Sequence, residues 1–257
     1  MGNNTKKYVL TGLMTALVLV MTFLFKIPTP FTSGYIHLGD SMIYLSVIVL
    51  GPIYGAFASG VGSMLADILG GYPQYALPTL VIKSLMAFIM GLVLSRKTRK
   101  ASIASVIAVI SIWVAFSAGT LLFLQSQIRN IGHEKIVQDI AGTDADAAAL
   151  QQTTDTLNNL PIYLAVGIIA LIIILALAAY FISKREGNRV FTLKAIVGMI
   201  AAGMCMVMGY YFVDSIMYTP VAALFSVPMN MIQFFAGVIA ASFFVPAVKK
   251  ANLAIEK

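Results

Sequence analysis

Charge is what this chain most lacks. Of its 257 residues only 11% are Asp, Glu, Lys or Arg, against about a quarter in soluble domains, and mean hydropathy reaches +0.91. That excludes an ordinary soluble domain and implies an integral membrane protein embedded in a lipid bilayer. Cysteine is nearly absent too. Cys205 stands alone in an apolar run, so no intrachain disulfide is possible and the residue reads as a small buried hydrophobe. There is no Cys/His cluster for a metal, no G-x-x-x-x-G-K-[ST] phosphate loop, no H-E-x-x-H and no G-x-S-x-G. An enzyme is therefore not expected, and no catalytic residue, metal site or cofactor is assigned.

The net charge of +7 does not point to nucleic acid, because the basic residues lie beside hydrophobic runs with no interleaved aromatic platform. Residues 1–25 resemble a signal sequence, with Lys6 and Lys7 before an apolar stretch, but no small-x-small cleavage site follows, so they read as a retained first span. Runs able to cross, or nearly cross, about 30 Å of hydrocarbon fall at residues 8–25, 38–50, 52–70, 78–95, 102–124, 161–183, 191–216 and 227–247. The expected fold is an all-α polytopic transmembrane bundle of eight spans. An even count puts both termini on one side. Lys6, Lys7, Arg96, Lys97, Arg99, Lys100, Lys184, Arg185, Arg189, Lys194, Lys249, Lys250 and Lys257 share it, thirteen of seventeen basic residues, so that side is expected to be cytoplasmic.

The second run is short, roughly 20 Å of helix at 1.5 Å per residue. Irregular backbone at membrane depth must be buried or line a wet cavity, so residues 26–35, with Pro28, Pro30 and Gly34, read as a loop folded into the bundle mouth that could act as a lid. Residues 125–160 form the long external connection, acidic and partly helical by pattern, and read as a solvated helical cap. His133 is isolated there and is no ligand candidate.

Apart from Lys194 at the cytoplasmic end of its span, Asp40, Asp67, Lys83 and Asp214 are the charged residues within the spans. Alternating the spans brings all four within about 8 Å of the same membrane face. Ionisable groups in hydrocarbon are costly and face a bundle interior or a cavity, so the set reads as an outward-facing pocket for a small polar molecule. Helical spacing gives polar neighbours: Asp40 with Tyr44, Ser63 with Asp67, Thr79 with Lys83, and Tyr210 with Asp214; Asn230, Gln233 and His37 lie at the same level. For Lys83 and Asp67 alone, a plain helix-locking ion pair is an equal reading. Phe31, Tyr35, Tyr44, Tyr72, Tyr75 and Tyr218 ring this face. Most fit an interfacial belt, whereas Tyr72 and Tyr75, on the tight Gly70-Gly71-Tyr72-Pro73 connection, are placed to cover a flat ring.

Gly51, Gly55, Ser59 and Ser63 recur every fourth residue and suit close packing inside the chain. Gly12 and Ala16, at the opposite end of the first span, could instead receive a partner helix. The two halves lack an inverted repeat with matched broken helices, which argues against a self-sufficient carrier.

Tyr35-Ile36-His37-Leu38-Gly39-Asp40, Leu50-Gly51-Pro52-Ile53-Tyr54-Gly55, Gly62-Ser63-Met64-Leu65-Ala66-Asp67 and Pro78-Thr79-Leu80-Val81-Ile82-Lys83 together resemble the substrate-binding S component of energy-coupling factor (ECF) vitamin transporters. Gly209-Tyr210-Tyr211 through Asp214 and Val227-Pro228-Met229-Asn230-Met231-Ile232-Gln233 continue the likeness, which covers residues 8–95 and 191–250. The resemblance implies a bacterial or archaeal cell-membrane protein that captures a vitamin or precursor outside, with a transmembrane coupling protein and two ATPase subunits powering release. It maps the coupling contact to Gly12 and Ala16 and a gate to residues 27–36.

Family members have six spans, so residues 101–190 would be an inserted hairpin carrying the acidic segment, between core parts 1–100 and 191–257. The expected substrate-binding set is His37, Asp40, Tyr44, Asp67, Tyr72, Tyr75, Thr79, Lys83, Tyr210, Asp214, Asn230 and Gln233, with pyridoxine-like, hydroxymethylpyrimidine-like and flavin-like compounds as candidates. A solitary ion-coupled transporter or channel is the alternative, and a sensory receptor using the acidic segment is a third.

Overall fold

A computed structural model describes residues 3–29, 34–95, 99–142, 144–184 and 193–250. Pro30, Phe31, Arg96, Lys97, Arg185, Arg189 and Lys257 lie outside the described residues. Helix α1 (Asn3–Leu24) leads into strands β1 (Lys26–Pro28) and β2 (Tyr35–His37), followed by α2 (Gly39–Gly70) and α3 (Pro73–Ser95). Then come α4 (Arg99–Ile131), α5 (His133–Ala141), α6 (Ala147–Lys184), α7 (Leu193–Met217), α8 (Pro220–Leu224) and α9 (Ser226–Lys250). Among the described residues seven helices are long and apolar enough to cross a membrane. The protein is an all-α polytopic membrane bundle, with one small β-ribbon.

Helix α2 counts once in that seven but contains two arms. At Gly51 the backbone turns to φ 78°, ψ −173°, a region essentially closed to other residues, and Pro52 follows. The chain doubles back there. A Cβ on Gly55 would sit 3.0 Å from Val47 Cα, positions that a straight helix holds about 12 Å apart. Residues 39–50 and 52–70 therefore form a hairpin, which is why hydropathy divides them into two runs. Without that reversal Asp40 and Asp67 would lie about 40 Å apart.

The stretch expected to be a loop is instead partly a ribbon. Strands β1 and β2 pair antiparallel, Lys26 with His37, Ile27 with Ile36 and Pro28 with Tyr35. Pairing satisfies backbone groups of the two strands. Other boundaries shift as well. Helix α3 starts at Pro73, a residue well suited to a first helical position, rather than at 78. Helices α4 and α6 run 33 and 38 residues, far beyond the apolar runs at 102–124 and 161–183, because a helix leaving the bilayer continues through polar sequence. Their surplus turns and α5 make the connection helical. Ile136 and Val137 of α5 are buried with Leu157 and Leu160 of α6, in the cluster that also holds Leu224 and Phe225.

The core is built from Ile43, Tyr44, Met86, Met90, Met199, Met206 and Phe234, all essentially inaccessible. Glycines set how closely its helices approach: a Cβ on Gly62 would meet Val18 of α1 at 2.9 Å, and one on Gly237 would lie 2.8 Å from Asp40 Cβ. Gly55, Ser59 and Ser63 are buried within the chain, as their spacing suggested.

Candidate functional site

The floor of the site is an ion pair. Asp40 lies in the first turn of α2, where the helix dipole favours a carboxylate, and its Oδ1 accepts from Lys83 Nζ of α3 at 2.5 Å. Both side chains are 0% exposed. Gln233 of α9 completes the floor: its Nε2 donates to Asp40 Oδ2 at 2.9 Å while its Oε1 accepts the His37 backbone N–H at 3.0 Å. Met206 Sδ lies 3.0 Å from Lys83 Nζ and 3.2 Å from Gln233 Nε2. The ion pair read for Lys83 with Asp67 is not formed; Lys83 pairs with Asp40, whose first-turn position on α2 brings it to the Lys83 ammonium.

Above the floor lies a cavity of about 30 Å³ lined by Thr29, Gly34, Tyr35, His37, Asp67, Tyr75, Thr79, Tyr210, Asp214, Asn230 and Gln233. It has room for about two waters. Each carboxylate in its wall is capped by a tyrosine: Tyr35 Oη donates to Asp67 Oδ1 at 2.5 Å, and Tyr75 Oη to Asp214 Oδ1 at 2.7 Å. Thr79 Oγ1 and Tyr210 Oη share a hydrogen bond of 3.0 Å. Asp67 Oδ2 is buried with no hydrogen-bond partner.

The ribbon borders the cavity on one side, through Tyr35 and His37. His37 Nδ1 accepts the Gly39 N–H at 3.0 Å, which fixes the proton of the neutral ring on Nε2. Burial, then the nearby Lys83 charge, lowers the His37 pKa to about 3, against a smaller opposing pull from Asp40. Burial and the Asp67 carboxylate raise the Tyr35 pKa far above the ordinary phenol value, so its hydroxyl stays a donor. On the outer side Lys26 Nζ stands over the rings of Phe23, Tyr35 and Tyr72, at 4.5, 5.0 and 5.5 Å. Tyr35 and Tyr72 pack with ring centroids 4.6 Å apart.

Eight of the twelve candidate residues thus line one cavity, and four do not. Asp40 and Lys83 are beneath it. Tyr44 is in the core, its hydroxyl without a partner, and Tyr72 stacks on the lid's outer side. Thr29, Gly34 and Tyr35 also line the cavity; on sequence they belong to the lid stretch 26–35, and Tyr35 to the aromatic ring, but none stands in the expected binding set. A signal existed for Tyr35, since it stands two residues before His37 and alternate strand residues share a face; their rings lie 5.5 Å apart.

A family model described as the S component of an ECF-type riboflavin transporter matches residues 2–166, well over half of the chain. The chain belongs to the S-component family of ECF-type transporters. That makes it one of a family of transport proteins, not enzymes, and the match runs through α4 and α5 into α6. This S component is 51% identical over 74 residues to an uncharacterised protein of Pyrococcus woesei, covering 29% of this chain and 49% of that one. It is 33% identical over 92 residues to the thiamine precursor transporter HmpT of Lactococcus lactis, covering 35% and 55%. A UPF0397 protein of Streptococcus agalactiae is 34% identical over 76 residues, covering 30% and 40%. The chain spans about half the length of the curated relatives it matches. No solved structure matches it significantly.

Proposed function

We propose that this S component captures a small aromatic B-vitamin or vitamin precursor from outside the cell and passes it inward with a transmembrane coupling protein and two ATPase subunits. The observation that carries the reading is convergence: polar side chains of α2, α3, α7, α9 and β2 meet around one cavity, under a lid of tyrosines. Buried polar groups of that density without catalytic chemistry suit a guest held by hydrogen bonds. At about 30 Å³ the cavity is too small for an aromatic ring, so Tyr35 and its ribbon must move for one to enter. Family membership and the name of the Lactococcus relative support the solute class.

In this reading α1, both arms of α2, α3, α7 and α9 are the six-span core, and α4 to α6 are the added hairpin with its cap. The cavity faces outward and both termini lie in the cytoplasm. Mass spectrometry of the small molecule that copurifies with the detergent-solubilised chain tests the proposal, together with uptake in vesicles. An aromatic vitamin-like compound and ATP-dependent uptake requiring partner subunits are expected. Uptake by the chain alone under an ion gradient would overturn it and select a solitary carrier.

A further inference from the structure

Resting on that capture reading, we infer that the guest is a basic, amino-substituted planar ring carrying no phosphate or carboxylate, and that Asp67 is the residue that selects it. The argument is one of charge and donor balance around the cavity. Its wall contains two carboxylates, Asp67 and Asp214, each 3% exposed. Among the described residues neither forms an ion pair. Lys83 is ion-paired with Asp40 in the floor, its Nζ 5.5 Å from the ring centroid of Tyr210 in the wall. Lys26 stands over the outer faces of the lid rings, with the Tyr35 ring among them.

Some of the wall's hydrogen-bond donors are committed, while the His37 Nε2–H and the Asn230 amide stay open. The hydroxyls of Tyr35 and Tyr75 donate to the two carboxylates, and Thr79 and Tyr210 share one hydrogen bond, in which one of the two hydroxyls donates. Of the carboxylate oxygens in the wall, Asp67 Oδ2 is buried and without a hydrogen-bond partner. An ionised carboxylate held that way is costly unless a donor or a cation arrives. A ring N–H beside an exocyclic amine presents two parallel donors, the geometry that suits one carboxylate. Such a ligand takes Oδ2 directly and can replace Tyr35 on Oδ1, which releases the lid strand from the wall. A phosphate or carboxylate on the ligand would meet two like charges, with no cation among the described residues that line the cavity.

Calorimetric titration of the purified full chain with four probes tests this: a hydroxymethyl-aminopyrimidine, its phosphate ester, riboflavin and nicotinate. The aminopyrimidine is expected to bind most tightly, with the phosphate ester and nicotinate at least about a hundredfold weaker. Asp67→Asn, which keeps the shape and the Tyr35 contact, should weaken aminopyrimidine binding by about tenfold or more, the worth of one charged hydrogen bond, with the melting temperature unchanged. Riboflavin, nicotinate or the phosphate ester binding as tightly as the aminopyrimidine would overturn the inference and leave the capture reading standing. The wild-type comparison alone decides this if Asp67→Asn does not fold. Unchanged aminopyrimidine affinity in a folded Asp67→Asn chain would also overturn it. Failure of all four probes, with no copurifying small molecule, would overturn the capture reading and this inference together.

Discussion

Lys83 and Asp40, 43 positions apart in the chain, form a fully buried ion pair at the base of the cavity. The pair holds α2, α3 and, through Gln233, α9 in register beneath the site. Removing one partner of such a pair strands the other charge in low dielectric, at about 3–5 kcal/mol, whereas replacing both with apolar groups is often neutral. Lys83→Met and Asp40→Leu singly should each lower the unfolding temperature in detergent, and the double variant should recover most of the loss. Wild-type stability in both singles would show that the charges are not interdependent.

Gly51 carries the reversal that brings Asp40 and Asp67 to one end of the bundle. Its φ of 78° with ψ −173° costs a residue with a Cβ about 1–3 kcal/mol. Nothing lies within 4 Å of the position a Cβ would take, so the penalty in Gly51→Ala is conformational and not steric. Gly51→Ala should lower stability by that amount and reduce solute affinity with it. Equal melting curves for the two proteins would place the hairpin's determinant elsewhere, with Pro52 the next residue to test.

Much of this was legible from hydropathy. Sparse charges in apolar runs singled out Asp40, Asp67, Lys83 and Asp214, of which Asp67 and Asp214 line the cavity and Asp40 and Lys83 lie beneath it, and the break at Gly51 separated the two arms of α2. Other features depend on tertiary contacts that no local pattern encodes. The pairing of Lys83 with Asp40 is a contact between α3 and α2 across 43 positions. The pairing of β1 with β2 satisfies backbone groups between two separate segments, which periodicity cannot reveal. The length of α4 and α6 escaped because hydropathy marks where lipid ends, not where helix ends.

His37 gives the lid a pH dependence whose sign follows from its environment. An opened lid exposes the ring to water, where it takes a proton near pH 6.5. In the closed state burial and Lys83 hold the pKa to about 3. The open state therefore binds more protons between those values, and the closed state loses stability as pH falls from about 6.5 toward 3. Asp40 opposes this shift and Lys26 adds to it. Hydrogen exchange of residues 34–39 should speed up in acid in the wild type. The slope should shrink in His37→Asn, whose side chain can still accept from Gly39. The carboxylates Asp67 and Asp214 are common to both proteins, so the difference between the two slopes isolates the imidazole. Identical slopes would remove His37 from the lid's equilibrium.

Gly12 is exposed, with nothing within 4 Å of a built Cβ, and Ala16 is exposed one turn further along α1. Tyr8, Val9, Leu13 and Val20 are exposed on the same helix, so large apolar side chains flank two small ones. Lipid makes no demand for small residues, whereas close approach of another helix does. Gly12→Leu with Ala16→Leu should therefore leave melting temperature and solute affinity unchanged, because neither residue touches the core or the cavity. The same change should abolish copurification with the coupling protein and ATP-driven uptake by the assembled complex. Full assembly and uptake in that double variant would mean that this face meets only lipid and that the coupling contact lies on another helix.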